Sequence, residues 1–334
     1  MSVLDQLSAT QRERLRTAEA KAREQPMLAV LSDRRTFDDD MLFERKLDGV
    51  RAVAIREGDR LRLLSRTGRN VNPTYPEIVD ALAAQVCRDF TVDGEITAIK
   101  GGRSDFALLQ QRMGLTRPKD VRAGRVSVRY YLFDLLSLDG RRTTALPLRT
   151  RKSLLRDALD FRAPLRYTPH RVGRDGRQLL ADACGRGGEG LIAKRADGPY
   201  LHHRSTDWLK LKCAADQELV IGGFTEPAGS RVGFGALLVG HYEGDRLRCA
   251  GKVGTGYDTR PPRSLRTRLD RLEQDRSPFA DDVRERAVHW VRPELVAQIG
   301  FTEWTGAGRL RHPRYMGLRD DKRPTDVIRE RGTP

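Results

Sequence analysis

A lysine followed closely by an acidic turn is the feature of this sequence with the clearest chemical potential. Lys46 comes at the end of a predicted strand, Asp48 and Gly49 supply a turn, and Arg51 follows in the next predicted strand. A lysine held at such a strand end has the geometry of a nucleophile, because its amine is presented at a fixed point of the fold. The plainer alternative is a surface hairpin with charged residues.

Further motifs decide between these two interpretations. The segment from Trp208 to Lys212 alternates as a strand does, which places Lys210 and Lys212 on one face. Taken singly, this strand is only a basic patch for nucleic acid, and Asp93-Gly94-Glu95 is only a turn. Three other segments carry polar residues in or beside predicted strands, at residues 65–70, 130–134 and 188–194, and a fourth lies near the end of the second domain at residues 319–322.

Taken in order, these motifs resemble those of the covalent nucleotidyltransferase superfamily and, within it, the ATP-dependent DNA ligases. The resemblance extends over residues 25–330 and implies that Lys46 attacks the α-phosphate of ATP, forms a lysyl-AMP bond and expels pyrophosphate. The attacking amine must be neutral, whereas an ordinary lysine has a pKa of about 10.4. Lys210 and Lys212 would therefore lower the pKa of Lys46 and face the α-phosphate, and these three lysines are the predicted catalytic residues.

The same resemblance implies a set of contacts to the nucleotide. Glu44 would lie near the adenine amino group, and Phe133 would stack on adenine. Ribose or phosphate contacts would come from arginines and from residues of the later motifs. The predicted nucleotide-binding residues, together with Lys46 itself, are Glu44, Arg51, Arg66, Glu95, Phe133, Arg204, Lys210, Arg319 and Lys322.

A divalent cation is also implied by the resemblance. Glu95 and Glu189, with Asp48, would bind it and neutralise the charge that develops on the α-phosphate. Because these ligands are carboxylate oxygens, they favour Mg²⁺ or Mn²⁺ over zinc.

The elements that position these residues predict an α+β fold in two domains. Residues 1–213 show predicted strands at 42–46, 50–56, 61–65, 90–99, 126–135 and 190–194 and helices at 76–86, 106–113, 147–159 and 177–185. They form the expected adenylation domain, a nucleotidyltransferase domain of antiparallel sheets flanked by helices, with a short helical N-terminal extension.

Residues 214–334 have a different pattern. Strands are predicted at 218–225, 236–242, 246–253 and 294–304, and Leu265, Leu269 and Leu272 recur at helical spacing. Several stretches resemble bacterial end-joining ligases, ligase C and the ligase module of ligase D, which implies a small OB-fold β-barrel that grips the DNA duplex. We expect contacts mainly to the DNA backbone.

Composition favours a nucleic-acid partner. Lys and Arg outnumber Asp and Glu by 62 to 46, a formal net charge of +16. The expected partners are nicked double-stranded DNA and a Ku-type end-binding protein, and the chain is expected to act as a monomer.

Charge and apolar patterning also indicate a location. The first 25 residues mix acidic and basic positions, unlike a signal peptide, and no apolar run is long enough to span a bilayer. We therefore expect a soluble cytoplasmic protein associated with the nucleoid and not with a membrane. Cys87, Cys184, Cys213 and Cys249 form no C-x-x-C pair, and we expect four reduced, buried thiols.

Three alternative functions are also compatible with the sequence. An RNA ligase or capping-type nucleotidyltransferase shares the lysine chemistry, an NAD-dependent ligase shares the intermediate, and a non-catalytic DNA-binding protein could share the fold. Charging with GTP, charging with NAD and release of pyrophosphate distinguish them.

Overall fold

The chain folds into two compact units, residues 1–213 and residues 214–331. This structure is a computed structural model that describes residues 2–17, 25–124, 126–227, 233–257, 263–285 and 287–330. Each unit is described by itself.

The first unit contains two β-sheets. Its described strands are β1 (Arg16–Thr17), β2 (Leu28–Leu31), β3 (Thr36–Arg45), β4 (Val50–Glu57), β5 (Arg60–Ser65), β6 (Asp89–Lys100), β7 (Arg103–Ser104), β8 (Val128–Leu138), β9 (Arg141–Arg142), β10 (Leu165–Tyr167), β11 (His170–Asp175), β12 (Gly190–Arg195) and β13 (Arg204–Lys212). Eight strands form one sheet in the order β1-β9-β8-β6-β4-β5, with β10 beside β8 and β7 beside β6. Five strands form the other sheet in the order β11-β3-β12-β13-β2.

Short helices cover the sheets of the first unit. They are the 3₁₀-helix Val3–Gln6, α1 (Ala9–Glu13), α2 (Pro76–Ala83), α3 (Phe106–Gln110), α4 (Pro118–Ala123), α5 (Leu148–Ala158) and α6 (Arg177–Gly185). Together with the sheets they confirm the predicted α+β fold class. Within the described ranges, no helix is both long and apolar enough to cross a membrane.

Strand β4 shows how the first unit is layered. Val50, Ala52 and Ala54 point into a core shared with α2, α3 and α5, whereas Val53 and Ile55 point into a second core. Because side chains alternate along a strand, one strand serves both layers. The second core joins the two sheets, and the candidate site lies beside it.

The second unit is rich in strands and has one α-helix within its described residues. The elements are β14 (Asp216–Thr225), β15 (Leu237–Glu243), β16 (Arg246–Val253), α7 (Arg263–Asp270), β17 (Glu273–Gln274), β18 (Val288–Gly300), β19 (Glu303–Trp304), β20 (Leu310–Arg311), β21 (Arg314–Leu318) and the 3₁₀-helix Pro324–Asp326. Six strands form a sheet in the order β16-β15-β14-β18-β17, with β21 beside β18. Leu265 and Leu269 of α7 are buried in its core, as their spacing predicts. The arrangement agrees with the predicted OB-type domain.

The prediction of four reduced cysteines is wrong. Cys184 at the end of α6 and Cys213 after β13 form a disulfide, with a Cα–Cα distance of 5.3 Å. The two cysteines are 29 residues apart, so no local sequence pattern predicts their pairing. They meet because α6 leads into β12, which pairs with β13. Cys249 is a buried free thiol and Cys87 a half-buried one.

We expect this disulfide to stabilise the first unit measurably. Cys184→Ser should lower the free energy of unfolding by about 3 kcal/mol, because the bond restricts the unfolded chain over a loop of this length. Urea unfolding without reductant measures the loss, and added dithiothreitol should remove most of the difference. Cys87→Ser, which changes a free thiol, is the control and should cost less than about 1 kcal/mol. An equal loss for Cys184→Ser with and without dithiothreitol would contradict the assignment.

Candidate active site

One face of the five-stranded sheet carries most of the predicted chemistry. Ile192 of β12 lies opposite both Glu44 of β3 and Lys210 of β13. Directly paired residues point to the same face, and so do residues two apart in one strand. Glu44, Lys210 and Lys212 therefore share this face, while the opposite face packs its apolar side chains against α6.

Lys46 follows β3 directly and continues the pattern. Its backbone N–H donates to the carbonyl of Gly190 at 3.0 Å, and Gly190 is paired with Lys212. A side chain at Gly190 would place its Cβ 2.0 Å from the carbonyl oxygen of Leu211, and the backbone there has φ +137°. Only glycine fits this close approach of strands.

The ammonium of Lys46 contacts a carboxylate. Lys46 Nζ donates to Glu189 Oε2 at 2.5 Å, and the two side chains are 19% and 23% exposed. Lys46 and Lys212 flank Gly190 in one row, so their backbones lie roughly 10 Å apart across two strand spacings. The structure thus brings Lys46 together with Glu189, and the influence of Lys210 and Lys212 on Lys46 remains a prediction.

The turn after Lys46 carries the chain to the other sheet. A Cβ at Gly49 would lie 2.2 Å from the carbonyl oxygen of Ile96, so this glycine permits a close crossing onto β6. The backbone N–H of Asp48 donates to Ser104 Oγ at 3.2 Å.

Arg51 is held in place by an aspartate that sequence reasoning did not single out. Its guanidinium donates to both carboxylate oxygens of Asp93, at 2.5 and 2.6 Å, and Tyr200 donates to the same carboxylate at 2.6 Å. Asp93 is fully buried, so these bonds satisfy a charge that would otherwise be costly. Glu95 is paired directly with Arg51 across the sheet.

Phe133 lies where the pairing of β8 with β6 is irregular. Asp93 pairs with Asp134 and Gly94 pairs with Leu132, so Phe133 is the extra residue of a β-bulge. Its ring points away from the core that contains Leu132 and toward Arg51, whose Cζ lies 4.6 Å from the ring centroid. The structure therefore gathers Arg51, Glu95 and Phe133, three of the predicted nucleotide-binding residues.

Glu44 lies in a buried cluster with two lysines that had no predicted role. Its Oε1 accepts from Lys152 Nζ at 2.5 Å, and its Oε2 is 2.6 Å from Lys194 Nζ. Burial alone would raise the pKa of Glu44, but the charges and hydrogen bonds of Lys152 and Lys194 outweigh it and lower that pKa. Burial lowers the pKa of Lys194 to about 8, although the charge of Glu44 opposes this shift.

The lowered pKa of Glu44 predicts an acid-dependent stability. Such a carboxylate contributes its full stabilisation above its ordinary pKa of 4.5 and loses it as the pH falls toward the lower folded value. At pH 7 we expect Glu44→Gln to cost about 3–5 kcal/mol, because two buried ammonium groups lose their partner. Below pH 4.5 this difference from wild type should shrink by about 1.4 kcal/mol per pH unit. Urea unfolding at pH 7, 5, 4 and 3 checks it, and a constant difference would contradict the charge pairing.

The other two predicted arginines of the first unit lie at strand ends. Arg66 is partly buried in the turn after β5, which Gly68 closes by donating its N–H to the carbonyl of Ser65 at 2.8 Å. Arg204 begins β13 and is exposed, with Nη1 donating to the carbonyl oxygen of Ala29 at 2.8 Å.

The predicted metal ligands are not gathered into one preformed site. Among the residues that the structure describes, no group of three His, Cys, Asp or Glu is placed to hold an ion. Glu189 contacts Lys46, and Glu95 lies opposite Arg51. The site of three carboxylates that includes Asp48 therefore stays a prediction. Mg²⁺ binds proteins through one or two carboxylates and takes its other ligands from phosphates and water, which explains why three need not converge.

The last predicted nucleotide contacts belong to the second unit. Arg319 makes a bidentate pair with Asp321, at 2.9 Å for both bonds, and both side chains are buried. Lys322 Nζ is 2.9 Å from Glu218 Oε1. Neither Asp321 nor Glu218 had a predicted role.

Models of known protein families match residues in both units of the chain. The family described as ATP dependent DNA ligase domain matches residues 26–212, and the ATP dependent DNA ligase C terminal region matches residues 230–322.

Individual relatives agree with the family match. The multifunctional non-homologous end joining protein LigD of Pseudomonas aeruginosa is 38% identical over 298 residues, which cover 86% of this chain and 34% of LigD. LigD of Mycobacterium tuberculosis is 37% identical over 295 residues, which cover 86% of this chain and 37% of that protein. The chain thus spans about a third of the length of these relatives.

A solved structure has the same fold. Mycobacterial DNA ligase D complexed with ATP and MES superimposes with a TM-score of 0.65 at 32% identity, covering 94% of this chain and all of that one. With the family match extending over most of the first unit, the chain belongs to the family of ATP-dependent DNA ligases.

Proposed function

We propose that this chain seals nicks in DNA in three displacement steps, with Lys46 as the nucleophile that carries AMP. ATP adenylylates Lys46, AMP passes to the 5′-phosphate at the nick, and the adjacent 3′-hydroxyl displaces AMP to form the phosphodiester. The proposal rests on the position of Lys46. This residue is fixed at the end of β3 beside Glu189, on the same sheet face as Glu44.

The residues around Lys46 have separate roles in the first step. Lys46 has to part from Glu189 and lose its proton before it attacks, and the positive charges of Lys210 and Lys212 would favour that loss. Phe133 and Arg51 would bind the base and ribose. The aspartate behind Arg51 holds the guanidinium in place, which reduces the entropy lost on binding.

The chemistry of Glu189 and Glu95 suits a divalent ion. Glu189 and Glu95 are partly exposed, and their hard oxygen ligands suit Mg²⁺ or Mn²⁺ in combination with phosphate oxygens. The bound ion would neutralise negative charge on the phosphates.

Arg319 and Lys322 of the second unit would bind the β- and γ-phosphates. Each is paired with a carboxylate in this structure, Arg319 with Asp321 and Lys322 with Glu218. Phosphate binding therefore requires that these ion pairs be exchanged for phosphate oxygens, which offer similar charge-assisted hydrogen bonds.

The DNA partner follows from charge and from the relatives. A net charge of +16 favours a polyanion, so binding should weaken as salt rises. The names of the LigD relatives state non-homologous end joining, and we propose that task for this chain as well. A Ku-type end-binding protein would then be its partner, and residues 214–334 would bind the duplex as an OB-fold domain. The chain would act as a monomer and associate with the nucleoid.

The proposal is tested by following AMP through the reaction. The full chain is incubated with Mg²⁺ and α-labelled ATP, and the labelled protein is then mixed with a nicked duplex. We expect labelled protein first, then labelled DNA, then a sealed strand with free labelled AMP. Parallel reactions with GTP, with NAD and with RNA strands at the nick test the alternatives. Absence of labelled protein with ATP would overturn the proposal.

A further inference from the structure

The disulfide between Cys184 and Cys213 lies beside the strand ends that carry part of the proposed chemistry. The last residue pair of β12 and β13 contains Lys212, and directly after it the backbone N–H of Cys213 donates to the carbonyl of Glu189 at 3.0 Å. Hydrogen bonds at the end of an element open more readily than those in its middle. Glu189 and Lys212 are therefore placed where the pairing of these two strands would fray first.

Glu189 follows a turn that contains two glycines. The backbone N–H groups of Gly187 and Gly188 donate to carbonyls in the last turn of α6, both at 2.8 Å, and Gly187 has φ +68°. Glycine gives such a turn many accessible conformations once it is released. The disulfide closes the turn on its far side, because it links the last turn of α6 to the residue that follows β13.

The two sulfurs are within reach of the thiols of their surroundings. Cys184 and Cys213 are partly exposed, although they pack against the apolar core on the other face of the sheet. A cytoplasm normally keeps cysteines reduced, and the disulfides that do form there are usually redox-sensing or catalytic. In the location proposed for this chain, the bond is therefore expected to form and to break as the thiol pool changes.

We propose that this disulfide is a positioning element of the active site and that its formation speeds the transfer of AMP from ATP to Lys46. The inference rests on the proposed function, because it requires Lys46 to be the nucleophile. The closed bond holds the backbone of Glu189 and Lys212 at fixed distances from Lys46, whereas the open bond lets the ends of β12 and β13 fray. A misplacement of about 1 Å can cost about 100-fold in rate, so a partial loosening predicts a loss of about 10-fold.

Opening and closing the bond are two-electron thiol–disulfide exchanges. One thiolate of dithiothreitol attacks a sulfur of the bond, and the other cysteine leaves as a thiolate that takes up a proton. The second thiol of dithiothreitol then resolves the mixed disulfide. Cys184 and Cys213 become thiols, while dithiothreitol is oxidised to its cyclic disulfide. Glutathione disulfide reverses the change and is itself reduced to two molecules of glutathione.

The rate at which α-labelled ATP labels the full chain tests the inference. Wild-type protein is measured over a range of ATP concentrations after glutathione disulfide, after dithiothreitol and after a second treatment with glutathione disulfide. We expect the maximal rate to fall about 10-fold on reduction and to recover on reoxidation. The half-saturating ATP concentration should change less than about 2-fold, because Phe133 and Arg51, which the proposed function assigns to base and ribose, belong to the eight-stranded sheet.

Two variants connect the effect to this bond. Cys184→Ser should be labelled at the rate of reduced wild type under either redox condition. Cys87→Ser removes a free thiol and is the control, with the full wild-type response to both reagents expected. Circular dichroism of each sample reports whether it is folded. Since the comparison of oxidised with reduced wild type needs no substitution, it stands even if Cys184→Ser fails to fold.

The outcomes separate this inference from the proposed function. No labelling of wild type in either redox state would overturn the proposed function, and the inference with it. Equal maximal rates for folded oxidised and reduced protein would overturn the inference alone. A positioning role would also be contradicted if reduction unfolded the protein, if half-saturating ATP rose as much as the rate fell, or if four thiols still titrated after oxidation.

Discussion

Lys46→Arg is expected to reduce labelling of the protein by α-labelled ATP at least about 1,000-fold. Arginine keeps the positive charge and can still pair with Glu189, which contacts Lys46 at 2.5 Å. Its guanidinium stays protonated at any working pH, however, and therefore has no free electron pair for attack on phosphorus. The substitution removes the nucleophile but preserves the positive charge at this position. Labelling of the purified protein measures the loss of adenylylation.

A pre-adenylylated substrate provides the control for this variant. Sealing a nick whose 5′-phosphate already carries AMP uses the 3′-hydroxyl as nucleophile, so Lys46→Arg should retain this step. If Lys46→Arg protein were still labelled by ATP, another residue would be the nucleophile. If neither reaction survived, the substitution would have damaged the site as a whole.

A large effect on stability is expected at Arg151 in α5. Its Nε and Nη2 donate to Asp134 at 2.7 and 2.9 Å, its Nη1 donates to two backbone carbonyls, and both side chains of the pair are 0% exposed. Arg151→Met leaves the carboxylate of Asp134 buried without its cationic partner. We expect the free energy of unfolding to fall by about 3–5 kcal/mol, as urea titration would measure.

An arginine of the same helix supplies the matched control. Arg149 pairs with Asp197 at 2.8 Å, but these side chains are 51% and 71% exposed. Arg149→Met should cost less than about 1 kcal/mol, because water screens the pair. Combining Arg151→Met with Asp134→Leu removes the stranded charge and should recover part of the loss. If the double variant were no more stable than Arg151→Met, an unpaired carboxylate would not be the cause.

The sequence predicts most of the sheet framework, because its strands alternate or are apolar throughout. The predicted strands that contain Val53 and Ile96 are both observed, and the helix predicted at residues 177–185 has the bounds Arg177–Gly185. The shorter strands β10 and β11 were not predicted. They are three and six residues long, and their pairing depends on partners distant in the chain.

The site residues that belong to sequence motifs are predictable, whereas contacts between residues that only the fold brings together are not. Lys46 and Glu189 belong to motifs that are visible in the sequence, although 143 residues separate them. Lys152 lies in a helix 108 residues from Glu44, and a charged residue in a helix ordinarily faces solvent. Glu218 of the distant strand β14 was missed as the partner of Lys322 for the same reason, whereas Asp321 is only two residues from Arg319 and had no predicted role. The disulfide between Cys184 and Cys213 is a further case of contact without a local pattern.

The bulge in β8 restricts how this protein can diverge. Leu132 packs in the helix-covered core and Phe133 faces the other sheet, as alternation along a strand requires, and Phe133 is surplus relative to β6, so that Asp134 pairs with Asp93. Losing a codon at the bulge would remove the surplus residue, so that this strand could no longer carry both Phe133 and the paired Asp134, and gaining a codon would shift the following residues against β6. Related proteins should therefore vary here by replacement of side chains, whereas insertions and deletions should be confined to the connecting loops.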